Sequence, residues 1–249
     1  MIPVALVLGV ALRLDRQVGG IFSDAEYGEF VVDRGRRTQC LFQDGTVAHL
    51  NSESKIHYPV KFGLFERRIR LEGEAYFEVT HNPRRPFVVE FEGGEIQVLG
   101  TSFNVNAYDD EPAIRTVLEK GRVNVVAPDR TTVRIEPGEQ VVFDRRTGAL
   151  TCSQVRVEDE CAWRDGRLVF RNTPLDEVLH RLARHYNVDI EFRNHSDEVF
   201  RYRATFRDET LTQIFDYLSA SADIRWRVVA PERRDGDSYT RRRILVEQF

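Results

Sequence analysis

Cysteine, methionine and lysine are scarce: three cysteines, one methionine, and only Lys55, Lys61 and Lys120 among 36 basic residues. Cys40, Cys152 and Cys161 are too few and too widely spaced for a disulfide framework or a four-thiolate zinc site. One Cys152–Cys161 bridge in an oxidising compartment and three unpaired thiols are both compatible with that spacing. Charge of one sign is also lacking. Forty acidic residues against 36 basic ones leave a net charge of −4, which argues against a nucleic-acid binder that tracks phosphates with a basic face. The apolar start Met1–Leu12 is stopped by Arg13 and falls short of the roughly 20 residues that span a bilayer. It also lacks the basic opening and small-residue cleavage site of a secretory signal. Half of a membrane helix, a short buried strand and a core helix are the readings this segment allows.

No phosphate-binding loop, dinucleotide fingerprint, nucleophile elbow or paired C-x-x-C occurs, so neither a catalytic centre nor a structural metal or cofactor is expected. His180 and His185 lie five apart on a predicted helix and so point about 140° away from a common face, which makes them poor co-ligands. Carboxylates cluster at Glu72, Glu74 and Glu78 and again at Asp109, Asp110 and Glu111. Alternation puts Glu78 opposite Phe77 and Val79, and Asp109-Asp110-Glu111-Pro112 has the composition of a loop tip. Both clusters therefore read as solvated.

What is present is β pattern first and α/β pattern second. Between residues 27 and 157, about ten short alternating or β-branched runs are separated by glycine turns such as Glu72-Gly73, the signature of a sandwich or a short solenoid. The fold class is mainly β followed by a small α+β domain, with the boundary in the polar stretch Ser153–Glu160. After Trp163, Thr173-Pro174 opens a helix, with Thr173 as the expected N-cap and Pro174 at the first helical position. Leu175, Val178, Leu179, Leu182 and Tyr186 form its apolar stripe. An offset of 36 residues then maps Phe170 to Phe206, Leu175 to Leu211, Val178 to Ile214, Leu179 to Phe215, Leu182 to Leu218, Val188 to Ile224 and Ile190 to Trp226. Such gapless matching indicates a duplicated β-α-β unit, whose two apolar helix faces must be buried together against one sheet.

Leu41-Phe-Gln-Asp-Gly-Thr-Val-Ala-His-Leu-Asn51, Arg70-Leu-Glu-Gly-Glu-Ala-Tyr-Phe-Glu-Val79, Val98-Leu-Gly-Thr-Ser-Phe-Asn-Val105, Pro137-Gly-Glu-Gln140 and Leu168-Val-Phe170 with Thr173-Pro-Leu175 resemble the FecR family. These are single-pass anti-sigma factors also called iron-dicitrate transport regulators. The likeness is to the Bacteroidetes branch, whose C-terminal domain is similar to the signalling domains of secretins and TonB-dependent transporters. The resemblance implies residues 1–12 as part of a membrane helix, 13–26 as a linker, 27–157 as a periplasmic β domain and 163–249 as the signalling-like α+β domain. It further implies anchoring in the inner membrane and sensing of the N-terminal signalling domain of a TonB-dependent transporter. Contact with an extracytoplasmic-function sigma factor is expected only through a cytoplasmic region that this sequence lacks. Partner contact is expected at Trp226, Tyr239, Arg241, Arg242 and Arg243, on the premise that the terminal strand is an exposed sheet edge with planar donors and an aromatic anchor. A carbohydrate-binding β protein, to be distinguished by a concave aromatic strip with paired carboxylates, and a structural envelope protein, to be distinguished by whether a sigma factor and a transporter lie beside its gene, are the alternatives. Phe77, Phe87, Phe91 and Phe103 alternate as core residues do.

Overall fold

In the computed structural model, which describes residues 26–196, 198–229 and 241–249, thirteen strands form a two-layered β domain. They are β1 (Tyr27–Val31), β2 (Thr38–Leu41), β3 (Val47–Leu50), β4 (Lys55–Pro59), β5 (Arg67–Glu78), β6 (Phe87–Phe91), β7 (Gly94–Val98), β8 (Ser102–Ala107), β9 (Ala113–Lys120), β10 (Val123–Val126), β11 (Thr132–Ile135), β12 (Glu139–Asp144) and β13 (Leu150–Gln154). One layer runs β1-β4-β5-β6-β7-β10-β11 and the other β2-β3-β5-β8-β9-β12-β13. The fold is the sandwich, and β5 belongs to both layers.

That sharing corrects the expectation of a turn at Glu72-Gly73. Arg67–Arg70 pair with β6 and Gly73–Glu78 with β8, so one twelve-residue strand leaves the first layer and enters the second. Gly73 sits at the crossing with φ +91°, and a Cβ there would lie 2.6 Å from Ser54 Oγ and 2.7 Å from Ser54 Cα. Only glycine fits both the backbone angle and the approach. Between the layers, Phe77 meets Phe87 at 5.9 Å and Phe103 at 5.3 Å, and Phe91 meets Phe143 at 6.1 Å. Phe77, Phe87, Phe91 and Phe103 are all buried in this core, so they form no exposed aromatic strip.

The segment read as a featureless boundary is ordered in pieces: β13 ends at Gln154, a helical turn follows at Val157–Glu160, and a 3-10 turn at Ala162–Asp165. Beyond it come β14 (Leu168–Pro174), α1 (Leu175–Tyr186), β15 (Asp189–Asn194), β16 (Arg201–Phe206), α2 (Leu211–Ser221), β17 (Ile224–Val229) and β18 (Arg243–Gln248). The duplication is real, because α1 and α2 begin 36 residues apart and place the mapped residues in or against one core with Ile244 and Val246. The strands do not form the one sheet expected, however: β14 pairs with β16, and β15, β18 and β17 form a second sheet.

Helix entry differs from expectation in the first copy. Pro174, not Thr173, occupies the N-cap position, with φ −58° and ψ 149° and no side-chain cap. The Thr173 hydroxyl instead accepts the Arg171 amide at 3.1 Å, across an irregularity in β14 where Asn172 has φ +57°.

The terminal strand is not an edge. β18 pairs in parallel with β15 on one side and antiparallel with β17 on the other, and Ile244, Leu245 and Val246 are buried. A strand of consecutive apolar residues belongs in the middle of a sheet, where both faces are covered. Among the described residues the free edges of that sheet are β15 and β17. No helix among the described residues is long and apolar enough to cross a membrane, and Met1–Leu12 lies outside them.

Candidate functional site

The second layer of the sandwich turns Phe77, Phe103, Val105 and Leu118 inward, so alternation sends Glu74, Tyr76, Asn104, Asn106 and Arg115 to its outer face. This face is not left to solvent. The Val157–Gly166 connection, β14 and α1 lie across it and enclose a polar cleft of about 280 Å³.

Glu74, read as solvated from its sequence, is buried there. Its Oε2 accepts from Asn51 Nδ2 at 2.7 Å and its Oε1 from Asn104 Nδ2 at 2.9 Å. Burial pushes the Glu74 carboxyl up from its ordinary value, and the two amide donors only partly offset this. Asn104 Oδ1 in turn accepts from Trp163 Nε1 at 3.1 Å. Trp163 packs with Cys161 against Tyr76, whose hydroxyl donates to Glu119, and the Arg164 guanidinium lies 3.6 Å from the Tyr76 ring centroid. On the other side, the Ser52 amide donates to Asn51 Oδ1 at 2.8 Å, and Ser52 Oγ donates to the Arg184 carbonyl at 2.9 Å. A continuous polar chain thus joins the connecting segment, through Trp163, to α1, through Arg184.

Arg184 is the second link. Its side chain is buried, with Nη2 at 2.8 Å from Asp110 Oδ1, Nη1 at 3.1 Å from Glu111 Oε1, and its guanidinium carbon 3.4 Å from the Tyr108 ring centroid. Glu111 also receives Arg115 at 2.8 Å, and His180 stands 3.1 Å from Asp110. The Arg184 guanidinium is held above its ordinary value: burial opposes the charge, but Tyr108, Asp110 and Glu111 outweigh it. Asp110 and Glu111, taken in sequence for a solvated loop tip, are therefore the sandwich's grip on the α+β domain. Arg34 adds a bond to Asp189 at 2.9 Å and Arg37 one to the Trp163 carbonyl at 2.8 Å. His185 lies close by, its imidazole pushed down to about 4 by burial and by Arg37.

Such an arrangement couples two bodies. The Glu74 carboxylate is occupied by amides and that of Glu111 by guanidiniums, and burial pushes the Cys161 thiol up to about 12. Among the described residues, all three cysteines are free and no group of three or more His, Cys, Asp or Glu side chains is placed to hold a metal ion.

The expected partner-binding residues lie elsewhere. Trp226 is half-buried and stacked on Phe215 with centroids 5.2 Å apart, which makes it a core residue at the sheet's margin. Arg241 bonds Asp189 at 3.1 Å and Arg243 bonds Glu191, so both brace β15 against β18. Arg242 is exposed, and Tyr239 lies outside the described residues. Asn51, Glu74, Asn104 and Arg184 were not singled out from the sequence because local alternation treats Glu74 and Glu78 alike. What separates them is the connection that covers one and leaves the other exposed.

The family model described as FecR protein matches residues 29–124 and that described as FecR, C-terminal, matches 167–233, together more than half of the chain. A comparison with curated proteins finds no match. Two crystal structures of a candidate anti-sigma factor from Parabacteroides distasonis ATCC 8503, at 1.65 and 2.50 Å resolution, are similar with 28% identity. The likeness covers 89% and 90% of this chain and 99% and 100% of theirs, with TM-scores of 0.78 and 0.77. Sandwich, duplicated α+β domain and the cleft between them are thus the parts of an anti-sigma factor, and the chain belongs to the FecR family.

Proposed function

We propose that these residues form the periplasmic sensing part of the anti-sigma factor, tethered to the inner membrane and relaying the state of a TonB-dependent transporter to an extracytoplasmic-function sigma factor. The observation that carries this reading is the unequal use of the α+β domain. Its first β-α-β copy is fastened to the sandwich through Arg184, whereas α2 and the edge of β17 are uncommitted among the described residues. An open edge accepts a partner strand through main-chain bonds, and Arg225 and Arg227, exposed on β17, supply planar donors for acidic side chains. A partner seated there pulls on a body whose other side is locked into the cleft. Sigma-factor contact belongs, in this reading, to a cytoplasmic segment ahead of the membrane helix.

The test is calorimetric titration of the full chain with the transporter's N-terminal signalling domain. Binding by the parent and loss with Arg225→Glu/Arg227→Glu are expected; the Arg241→Glu/Arg243→Glu variant reports whether the β15 side contributes. No binding by the parent counts against the transporter as partner. A fusion of a periplasm-dependent reporter to Phe249 checks the compartment separately, and silence there with an active cytoplasmic reporter reverses the orientation.

A further inference from the structure

Eleven large apolar side chains are exposed among the described residues, and four of them gather at one end of the sandwich. Leu64 is 76% exposed, Tyr27 65%, Phe65 45% and Val60 37%. Scattered apolar residues are ordinary on a protein surface, but a group on a single tip is not.

The tip is rigid underneath. The Val60 amide donates to the Glu26 carbonyl at 2.7 Å, which fixes the start of β1 beside the loop between β4 and β5. Phe62 points back into the sandwich, 6.0 Å from both Phe42 and Phe87. Buried Arg67 donates to Asp44 at 2.6 Å, to the Thr80 carbonyl at 2.9 Å and to the Arg85 carbonyl at 3.0 Å, tying three neighbouring loops together. Arg85 reaches the Gly63 carbonyl at 3.3 Å. Phe62 and the loop backbone are thus anchored, and Leu64 and Phe65 are left pointing out.

We propose that this tip, Tyr27 with residues 60–65, rests on an anionic phospholipid surface. Lys61 and Arg84 are exposed beside it and have no ion-pair partner among the described residues, whereas Glu66 is occupied by Arg68 at 2.7 Å. Apolar and aromatic side chains rimmed by cations are what an interfacial lipid contact requires, the cations being drawn to an anionic leaflet. Chain connectivity points to the same occupant. The chain enters the sandwich at Glu26, on this tip, and the 25 residues ahead of it begin with the uncharged apolar Met1–Leu12. The loops that grip the α+β domain, carrying Arg34, Ser52 and Glu53, stand at the opposite ends of β1, β3 and β4. With the tip on the bilayer, the sandwich stands upright and holds the sensing domain away from it. The proposal rests on the membrane-tethered reading above and adds an orientation to it.

The experiment uses the full chain and vesicles of phosphatidylcholine with and without phosphatidylglycerol. Leu64→Trp should be quenched by brominated lipid, and Val199→Trp, exposed on the α+β domain, should not. Leu64→Ser/Phe65→Ser should lower partitioning into anionic vesicles about tenfold or more. Lys61→Glu/Arg84→Glu should abolish the preference for phosphatidylglycerol. Both pairs are exposed, so folding is expected to survive them. Chains that float with vesicles while Leu64→Trp stays unquenched, or a serine pair that partitions like the parent, would overturn the proposal and make the tip a protein-docking site. A parent that does not float would also overturn it. A cytoplasmic signal from the Phe249 fusion removes the tethered reading instead, whatever the vesicles report.

Discussion

The two copies of the β-α-β unit bury the same positions and spend their outer faces differently. Leu175, Val178, Leu179 and Leu182 of α1 correspond to Leu211, Ile214, Phe215 and Leu218 of α2, and all eight are buried in one core. On the outer faces, His180, Arg181 and Arg184 correspond to Asp216, Tyr217 and Ala220. The first set meets Asp110, the Phe170 ring and the Asp110–Glu111 pair, whereas Asp216, Tyr217 and Ala220 are exposed. Duplication supplied a fold with two equivalent helix faces. Divergence, chiefly at His180 and Arg184, made one of them a mount and left the other free.

The shared core can be broken from either copy, and this is the largest effect expected. Leu182→Asp and Leu218→Asp each place an unpaired charge among apolar side chains, at a cost of about 3–5 kcal/mol. Because both helices contribute to one core, urea unfolding followed by far-UV dichroism should show the two variants losing similar stability. A Leu218→Asp protein that unfolds like the parent would mean that the second copy is not part of that core.

The mount is the next test. Arg184→Ala leaves the buried Glu111 and the half-exposed Asp110 without their guanidinium; breaking a fully buried pair from one side costs about 3–5 kcal/mol, and the cost here falls below that because Asp110 is exposed. The loss should fall on the joint between the domains, so limited proteolysis should cut the 155–167 connection sooner than in the parent. Tyr217→Ala, at an exposed position of the other helix, should leave both proteolysis and melting within about 0.5 kcal/mol of the parent.

Glu74 gives the joint a pH dependence whose sign follows from burial. A carboxyl whose folded value is raised holds its proton better in the native state than in the unfolded chain. Its contribution therefore turns unfavourable as pH rises from the unfolded value through the folded one, and the full cost is present above that. Glu74→Gln keeps an acceptor for one of the two asparagine donors and removes the charge. Its melting temperature should exceed that of the parent at about pH 8, with the difference vanishing below about pH 4, where the parent's carboxyl is protonated as well. Equal melting curves at both values would mean that the Asn51 and Asn104 amides fully offset burial.

How much of this the sequence discloses depends on the range of the interaction. The duplication, both helices and most strands of the sandwich are written in local alternation and in the 3.6-residue stripe, and they are found where those patterns put them. The β5 crossing is not, since Glu72-Gly73 looks like any glycine turn until both layers are in place. Glu74 and Glu111 look solvated because their burial comes from a connection and a helix at least seventy positions away along the chain, and Asp110, which does stay exposed, gives no local sign of its bond to Arg184. Arg241 and Arg243 read as edge residues because nothing local says that β15 and β17 flank the strand they begin.

The smallest effect separates how the two helices start. Thr210 caps α2 in a reciprocal pair with Gln213: Thr210 Oγ1 accepts the Gln213 amide at 3.4 Å, and Gln213 Oε1 accepts the Thr210 amide at 2.8 Å. Sequence places Thr173 in the same role for α1, but that hydroxyl is spent on the Arg171 amide in β14, and α1 begins after Pro174 with no side-chain cap. Thr210→Ala should therefore cost about 1 kcal/mol, the usual worth of an N-cap, and should increase amide exchange in the first turn of α2. Thr173→Ala should leave the first turn of α1 unchanged and instead loosen the irregular end of β14, where Asn172 is held at positive φ. If exchange in α1 rises with Thr173→Ala as much as exchange in α2 rises with Thr210→Ala, the two copies start their helices by the same device after all. The difference at their entry would then belong to the bonding pattern alone and not to their energetics.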